Sequence, residues 1–229
     1  MDWPAIVLSL KLSSVVCGLL LLIGMPIAYW VTYSRWRWKF LVEAVVALPI
    51  VLPPTVLGFY VLVAIGLRSP IGRAWASWTG HGLAFTFEGL VIASLLYSLP
   101  FAVQPIIVAF SQVDHELIEA SSVLGASRVR TFLRIILPLS IDGVITGAVL
   151  SFAHTMGEFG VVLMVGGDIP GITRTISITI YDQVQRLDYA AANKTALLLL
   201  LFSFAVLSVI YALNRNSLAT SLLRQQARE

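Results

Sequence analysis

The segment SQVDHELIEASSVLGASRVRTFLRIILP, Ser111 to Pro138, is the longest polar stretch in a chain of 229 residues. On its N-terminal side lies the apolar run Gly89 to Phe110, and on its C-terminal side the run Leu139 to about Val165. A helix needs ~20 apolar residues to cross a hydrocarbon layer of ~30 Å. Each flank therefore predicts a transmembrane helix, with the polar segment as the loop between two spans. Reading outward adds the runs Ala5 to Val31, Phe40 to Gly66 and Thr195 to Leu213. The expectation is an all-α, polytopic membrane protein of about five transmembrane helices. It forms one domain, 1–229, whose long loop occupies about 114–138. The mixed segment 166–194 carries Asp168, Arg174, Asp182, Arg186 and Asp188, and reads either as a loop or as a partly embedded element.

Composition agrees with this reading. The chain is 58% hydrophobic and 12% charged, with mean hydropathy +0.89, against about 25% charged residues in an ordinary soluble domain. The net charge of +3 does not suggest nucleic acid, because the cations are dispersed between apolar runs and form no stripe. Cys17 is the only cysteine, so one chain can build neither a disulfide nor a multi-cysteine metal site. His81, His115 and His154 lack metal-ligand spacing. None of Lys11, Lys39 and Lys194 follows a glycine, so no P-loop is present and the chain is not expected to hydrolyse ATP. No catalytic residue, metal or resident cofactor is predicted.

Orientation follows from the enrichment of Lys and Arg in cytoplasmic loops. One side collects Arg35, Arg37, Lys39, Arg128, Arg130, Arg134, Arg215, Arg224 and Arg228. The other collects Arg68, Arg73, Arg174, Arg186 and Lys194. The N-terminus is thus read as periplasmic and the C-terminus as cytoplasmic, with the first run a retained span and Lys11 snorkelling outward. The segment after the last span is expected to be too short for a regulatory domain. No internal repeat is visible, which favours symmetry through dimerisation over the repeats common in secondary carriers.

The polar loop has its own physics. Leu117, Ile118, Ala120, Val123 and Leu124, interspersed with acids, predict a short amphipathic helix over Glu116 to Leu124. Gly125 can end that helix by adopting positive φ. Pro138 is expected at the first turn of the next span, where a missing donor is tolerated. In the second run, Pro49, Pro53 and Pro54 remove backbone donors at membrane depth, so they must be buried in protein or line a wet cavity.

Glu119-Ala120-Ser121, Gly125 and Ile135-x-Leu137-Pro138 match the spacing E-A-A-x3-G-x9-I-x-L-P, with Ser121 replacing the second alanine. The loop thereby resembles the signature of ABC-importer permeases. Leu48 to Gly58 resembles the L-P-x-V-L-P-P-x-V-x-G segment of molybdate permeases. Phe152 to Gly160 is similar to their F-A-R-x-x-G-E-F-G, and Ile169 to Ile176 to their I-P-G-E-T-R-T-I. His154 replaces the arginine and Ile172 the glutamate.

The resemblance implies a type I importer permease in a bacterial inner membrane. It would work as a homodimer with two cytoplasmic ABC ATPase subunits, which use the ATP and Mg, and with a periplasmic oxyanion-binding protein. The cargo would be molybdate or a related tetrahedral oxyanion; sulfate, tungstate and a gradient-driven carrier are the alternatives. Glu119, Ala120, Ser121, Gly125, Ile135, Leu137 and Pro138 would couple to the ATPase. The route or its gate is expected at Pro49, Pro53, Pro54, Thr55, Ser98, Gly157, Glu158 and Arg174. Amides freed around Pro53 and Pro54 are expected as weak anion donors. Glu158, which would repel a dianion, is expected to pair with a basic or backbone donor. Arg174 either attracts the anion at the periplasmic mouth or neutralises Glu158 or Asp168.

Overall fold

The structure is a computed structural model that describes residues 2–226, with side chains through Ala212. The side chains of Arg215 and Arg224, and all of Arg228, lie outside the described residues.

Helix α1 runs from Trp3 to Tyr33. Asp2 starts it by accepting from the Ala5 amide at 3.1 Å, which satisfies one of the orphan donors of the first turn. Helix α5 spans Phe87–Ser111, capped by Thr86, and α9 spans Ile141–Gly157. These three pack together as the centre of the molecule. Lipid tails are as apolar as Leu, so close approach at small residues holds membrane helices together. Gly147 meets the Ala102 carbonyl and Gly143 the Ala109 side chain, where any Cβ would collide. Polar cross-links add to this, with Cys17 Sγ donating to the Ala148 carbonyl at 3.3 Å.

The second apolar run is not one straight span. Helix α2, Lys39–Val51, and helix α3, Pro54–Ile65, meet at 113°. Pro53 and Pro54 cannot donate to the preceding turn, and Leu52 takes an extended conformation that ends α2. After the short helix α4, Pro70–Thr79, the chain re-enters the bundle as α5.

The loop folds as predicted over α6, His115–Val123, with Asp114 as its cap. The return begins at α7, Arg128–Thr131, continues through a π-helical turn, Phe132–Ile136, and reaches α8, Leu137–Leu139. Pro138 was expected at the first turn of a span but lies inside this helical stretch. The π turn accommodates it: Pro138 has no N–H for the Arg134 carbonyl, and the Leu137 amide donates to the Phe132 carbonyl, five residues back. The stretch then bends by 73° into α9.

Beyond Glu158 the fourth run resumes as α10, Gly160–Gly166, packed on α3 and α5. Segment 166–194 packs partly into the helix bundle. Helix α11, Ile176–Gln185, buries Ile176 and Ile178, and the Ile176 amide donates to Ser9 Oγ of α1 at 2.8 Å. Helix α12 runs from Tyr189 to Gln226. Among the described residues three helices are long and apolar enough to cross a membrane, or up to five spans if each bent pair counts as one.

Candidate functional site

The predicted site residues fall into three places. The first is the loop helix. Gly125 has φ 75 and open space where a Cβ would stand, so conformation alone demands glycine there. Its amide donates to the Ser122 carbonyl at 3.0 Å, and the Ala126 amide to Ser121 at 3.0 Å, closing the helix end. Val123 and Leu124 are thereby held outward, 88% and 87% exposed. Glu119 is also exposed and lies 3.5 Å from His115. Ser121 accounts for its own departure from alanine: it is buried, and its hydroxyl lies 2.8 Å from Thr131 Oγ1 and donates to the Ile118 carbonyl at 2.8 Å. It ties α6 to α7. Ile135 and Ile136 anchor the π turn in the cluster around Phe110 and Val113, with Leu137 beside it.

The second place is a cleft of about 570 Å³ lined by Pro54, Thr55, Tyr97, His154, Glu158 and Gly160, together with Ala153, Gly157 and Phe159. Gly160 allows α10 to touch α3, since a Cβ there would stand 2.8 Å from the Pro54 side chain. Gly157 has open space around it and faces the cleft. Ser98 is buried behind it, 2.9 Å from both His154 Nδ1 and Thr155 Oγ1. The imidazole stacks on Phe101, centroids 3.9 Å apart and planes at 21°. Phe101 in turn lines a second cleft of about 570 Å³ with Ile50, Gln104, Ser140 and Thr146, so the two rings stand between the cavities.

Two expectations need correction at this cleft. Glu158 is 4% exposed, and among the described residues neither carboxylate oxygen has a hydrogen-bonding partner, basic or backbone. Its position where α9 breaks, not a charge partner, places it at the cavity wall. The amides around the proline pair are also less free than expected, because Val56 and Leu57 both donate to the Pro53 carbonyl, at 2.9 and 3.3 Å. Pro49 is buried in α2, which packs on α5, and lines neither cleft.

The third place holds Arg174, apart from Glu158. Its Nε donates to Asp168 at 2.5 Å, its Nη2 to the other oxygen at 3.2 Å, and Nη1 stands 3.9 Å from Asp2. The bidentate bond to Asp168 pushes the guanidinium's proton affinity further up. Of the two readings of Arg174, the counter-ion role toward Asp168 has a contact behind it, whereas pairing with Glu158 does not. The loop is shaped by Gly167 and Gly171, both at positive φ, and by Thr173 Oγ1, which donates to Gly166 at 2.7 Å.

Tyr97, Phe101 and Thr155 were not singled out from the sequence. Thr155 lies one residue beyond His154 in the quoted segment, and Ser98, Phe101 and Tyr97 share one face of α5, so helical spacing was the available signal.

With this geometry in hand, residues 21–219 match the family described as the binding-protein-dependent transport system inner membrane component. A molybdenum transport system permease protein of Azotobacter vinelandii is 50% identical over 215 residues, covering 93% of this chain and 95% of that one. The protein of the same description in Escherichia coli K12 is 40% identical over 184 residues, 80% of each chain. Among solved structures, a bacterial alginate ABC transporter in complex with a pentasaccharide-bound periplasmic protein superposes with TM-score 0.69 at 18% identity. It covers 93% of this chain and 78% of that one. The chain belongs to the inner-membrane component family of binding-protein-dependent transport systems, as a multi-pass inner-membrane permease with the type I ABC importer fold.

Proposed function

We propose that this chain is the permease subunit of an ATP-driven importer that carries molybdate, or a closely related tetrahedral oxyanion, into the cytoplasm. The observation that carries the importer reading is the loop helix, whose glycine turn holds Val123 and Leu124 almost fully exposed at the end of a short, capped, hydrogen-bonded element. An apolar knob of this kind on a rigid base suits docking into a groove of a cytoplasmic ATPase. The choice of molybdate rests on relatives that bear that description at 50% and 40% identity.

The route runs between two copies of the chain, along the clefts on either side of the Phe101–His154 stack, and the ring pair is its constriction. A dianion in a low-dielectric passage needs donors that release it readily. The hydroxyl of Thr55 and the His154 imidazole are neutral donors of this kind, and Glu158 at the wall disfavours a resting anion. ATP and Mg belong to the ATPase pair; a periplasmic oxyanion-binding protein delivers the cargo and sets most of the specificity. ATP binding draws the two α6 helices together and opens the route outward, and hydrolysis returns it.

The test is uptake into proteoliposomes holding this chain, its ATPase and its binding protein. Molybdate should accumulate only with internal ATP, with tungstate competing at equimolar concentration and tenfold sulfate leaving uptake unchanged. Inhibition by sulfate equal to that by tungstate reassigns the cargo. Accumulation driven by an ion gradient without ATP overturns the importer reading itself.

A further inference from the structure

At the inner end of α1 two cavities lie side by side, with Tyr29 and Arg128 in the wall of each. One, of about 390 Å³, is a groove between α1 and the π turn, walled by Leu22, Met25, Pro26, Phe132 and Leu133. Its lining is apolar apart from two residues at one end, Tyr29 and Arg128. Those same two residues also line the other cavity, of about 710 Å³, whose wall includes Trp30, Tyr33, Arg35 and His115. An apolar groove beside the membrane span Trp3–Tyr33 thus adjoins, across Tyr29 and Arg128, a chamber that carries two guanidinium groups.

Neither Arg35 nor Arg128 forms an ion pair among the described residues, although Arg174 and Arg186 do. Both are exposed, and no acid lines the chamber. The helix ends here are already served by other groups: Lys39 Nζ donates to the Val31 carbonyl of α1 at 3.2 Å, and Tyr33 Oη to the Phe110 carbonyl of α5 at 2.8 Å. The two arginines are therefore left with unspent charge beside an indole and a phenol, in the setting where headgroups lie.

We propose that this pair of cavities holds one anionic phospholipid, with its phosphate between Arg35 and Arg128 and an acyl chain along Leu22, Met25 and Leu133. Charge complementarity selects the anionic headgroup, and the apolar groove directly beside the chamber selects a lipid over a free phosphate. Guanidinium is suited to the phosphate because its fork donates two parallel hydrogen bonds. A second copy of this chain is a poor occupant, since it would bring the same cations against each other. The site reaches α6 through His115, Ile118 and Ser122, and α7 through Arg128 and Thr131. Bound lipid would thus brace the base of the loop helix from the membrane side, opposite the exposed Val123 and Leu124.

The experiment is native mass spectrometry of the full chain, extracted from nanodiscs of mixed phosphatidylglycerol and phosphatidylcholine, with and without its ATPase. One phosphatidylglycerol per chain should survive, in preference to phosphatidylcholine. Each of R35Q and R128Q should weaken that retention by roughly fivefold, the effect of one cation at a membrane surface. R130Q and R134Q remove the same charge from residues that do not line the chamber and should retain the lipid, which separates site loss from general charge loss. L133W, which fills the channel and leaves the cations in place, should also expel it. If R130Q lowers retention as much as R128Q, the lipid is annular and the proposal fails. If glycerol phosphate displaces the lipid at millimolar concentration, or L133W has no effect, the chamber is an anion site without a chain channel and the lipid assignment fails. Loss of the lipid on adding the ATPase gives the chamber to that partner and overturns the proposal.

Discussion

Ser121 shows how much one hydroxyl can carry. In the spacing of the loop it stands where alanine is usual, yet it is buried against Thr131 and ties the loop helix to the returning strand of helix. Ser121→Ala should cost about 1 kcal/mol of local stability and partly uncouple transport, seen as ATPase activity that exceeds uptake. Gly125 poses the stricter demand. At φ 75 an L side chain is strained by about 1–2 kcal/mol, while proline cannot adopt that angle at all and also removes the amide that donates to Ser122. Gly125→Asn should therefore retain most uptake and Gly125→Pro should abolish it; normal uptake in the proline variant would remove the coupling assignment. At the cleft, Ser98→Ala severs both 2.9 Å contacts and leaves His154 Nδ1 without its partner. Polar contacts in membrane bundles average about 0.6 kcal/mol, so losing two should cost about 1 kcal/mol and lower melting in detergent by about 2–4 °C. Uptake should fall more if the Phe101–His154 pair is the constriction proposed above, because it loses the group that sets the ring's orientation.

Among the elements, the two broken spans behave differently. In the α2–α3 pair, proline chemistry makes the break and a glycine across the contact preserves it. Gly160→Val would push α10 from Pro54, since its Cβ alone would stand 2.8 Å from that ring. Overpacking of this kind costs about 1–3 kcal/mol. Expression and melting temperature should both drop, whereas Gly157→Ala, with open space, should leave melting unchanged. In the α7–α9 stretch, the π turn absorbs a proline in mid-helix and puts Ile136 into the core cluster with Phe110. The loop helix was legible in sequence because amphipathic spacing and a terminal glycine are local signals. The π turn was not, because a proline fits the first turn of a new helix as readily as a π turn absorbs one, and the packing of Ile136 in the cluster with Phe110 and Val144 selects the second.

For the molecule as a whole, topology is the direct test. A reporter joined after Arg37 should be cytoplasmic, and reporters near Arg73 and Arg174 periplasmic; a cytoplasmic signal at Arg174 would change the span count by one. The contact of Arg174 with Asp2 and Asp168 already places the N-terminus and the 166–174 loop on one side. Membrane residence and the loop helix with its glycine stop were determined by the sequence, since each depends on hydrophobic run length or a periodicity within about ten residues. The partners of the buried polar groups were decided only by tertiary structure. Glu158 carries an acid's signature at membrane depth, but whether a cation faces it depends on which helices meet there, and Arg174 is held instead by acids 6 and 172 residues away in the chain. The same holds for Ser98 and His154, separated by 56 residues and joined only because α5 and α9 pack at small residues. Local sequence sets the free energy of placing a helix in lipid; the few angstroms that separate one polar partner from another are set by how close glycine lets two helices come.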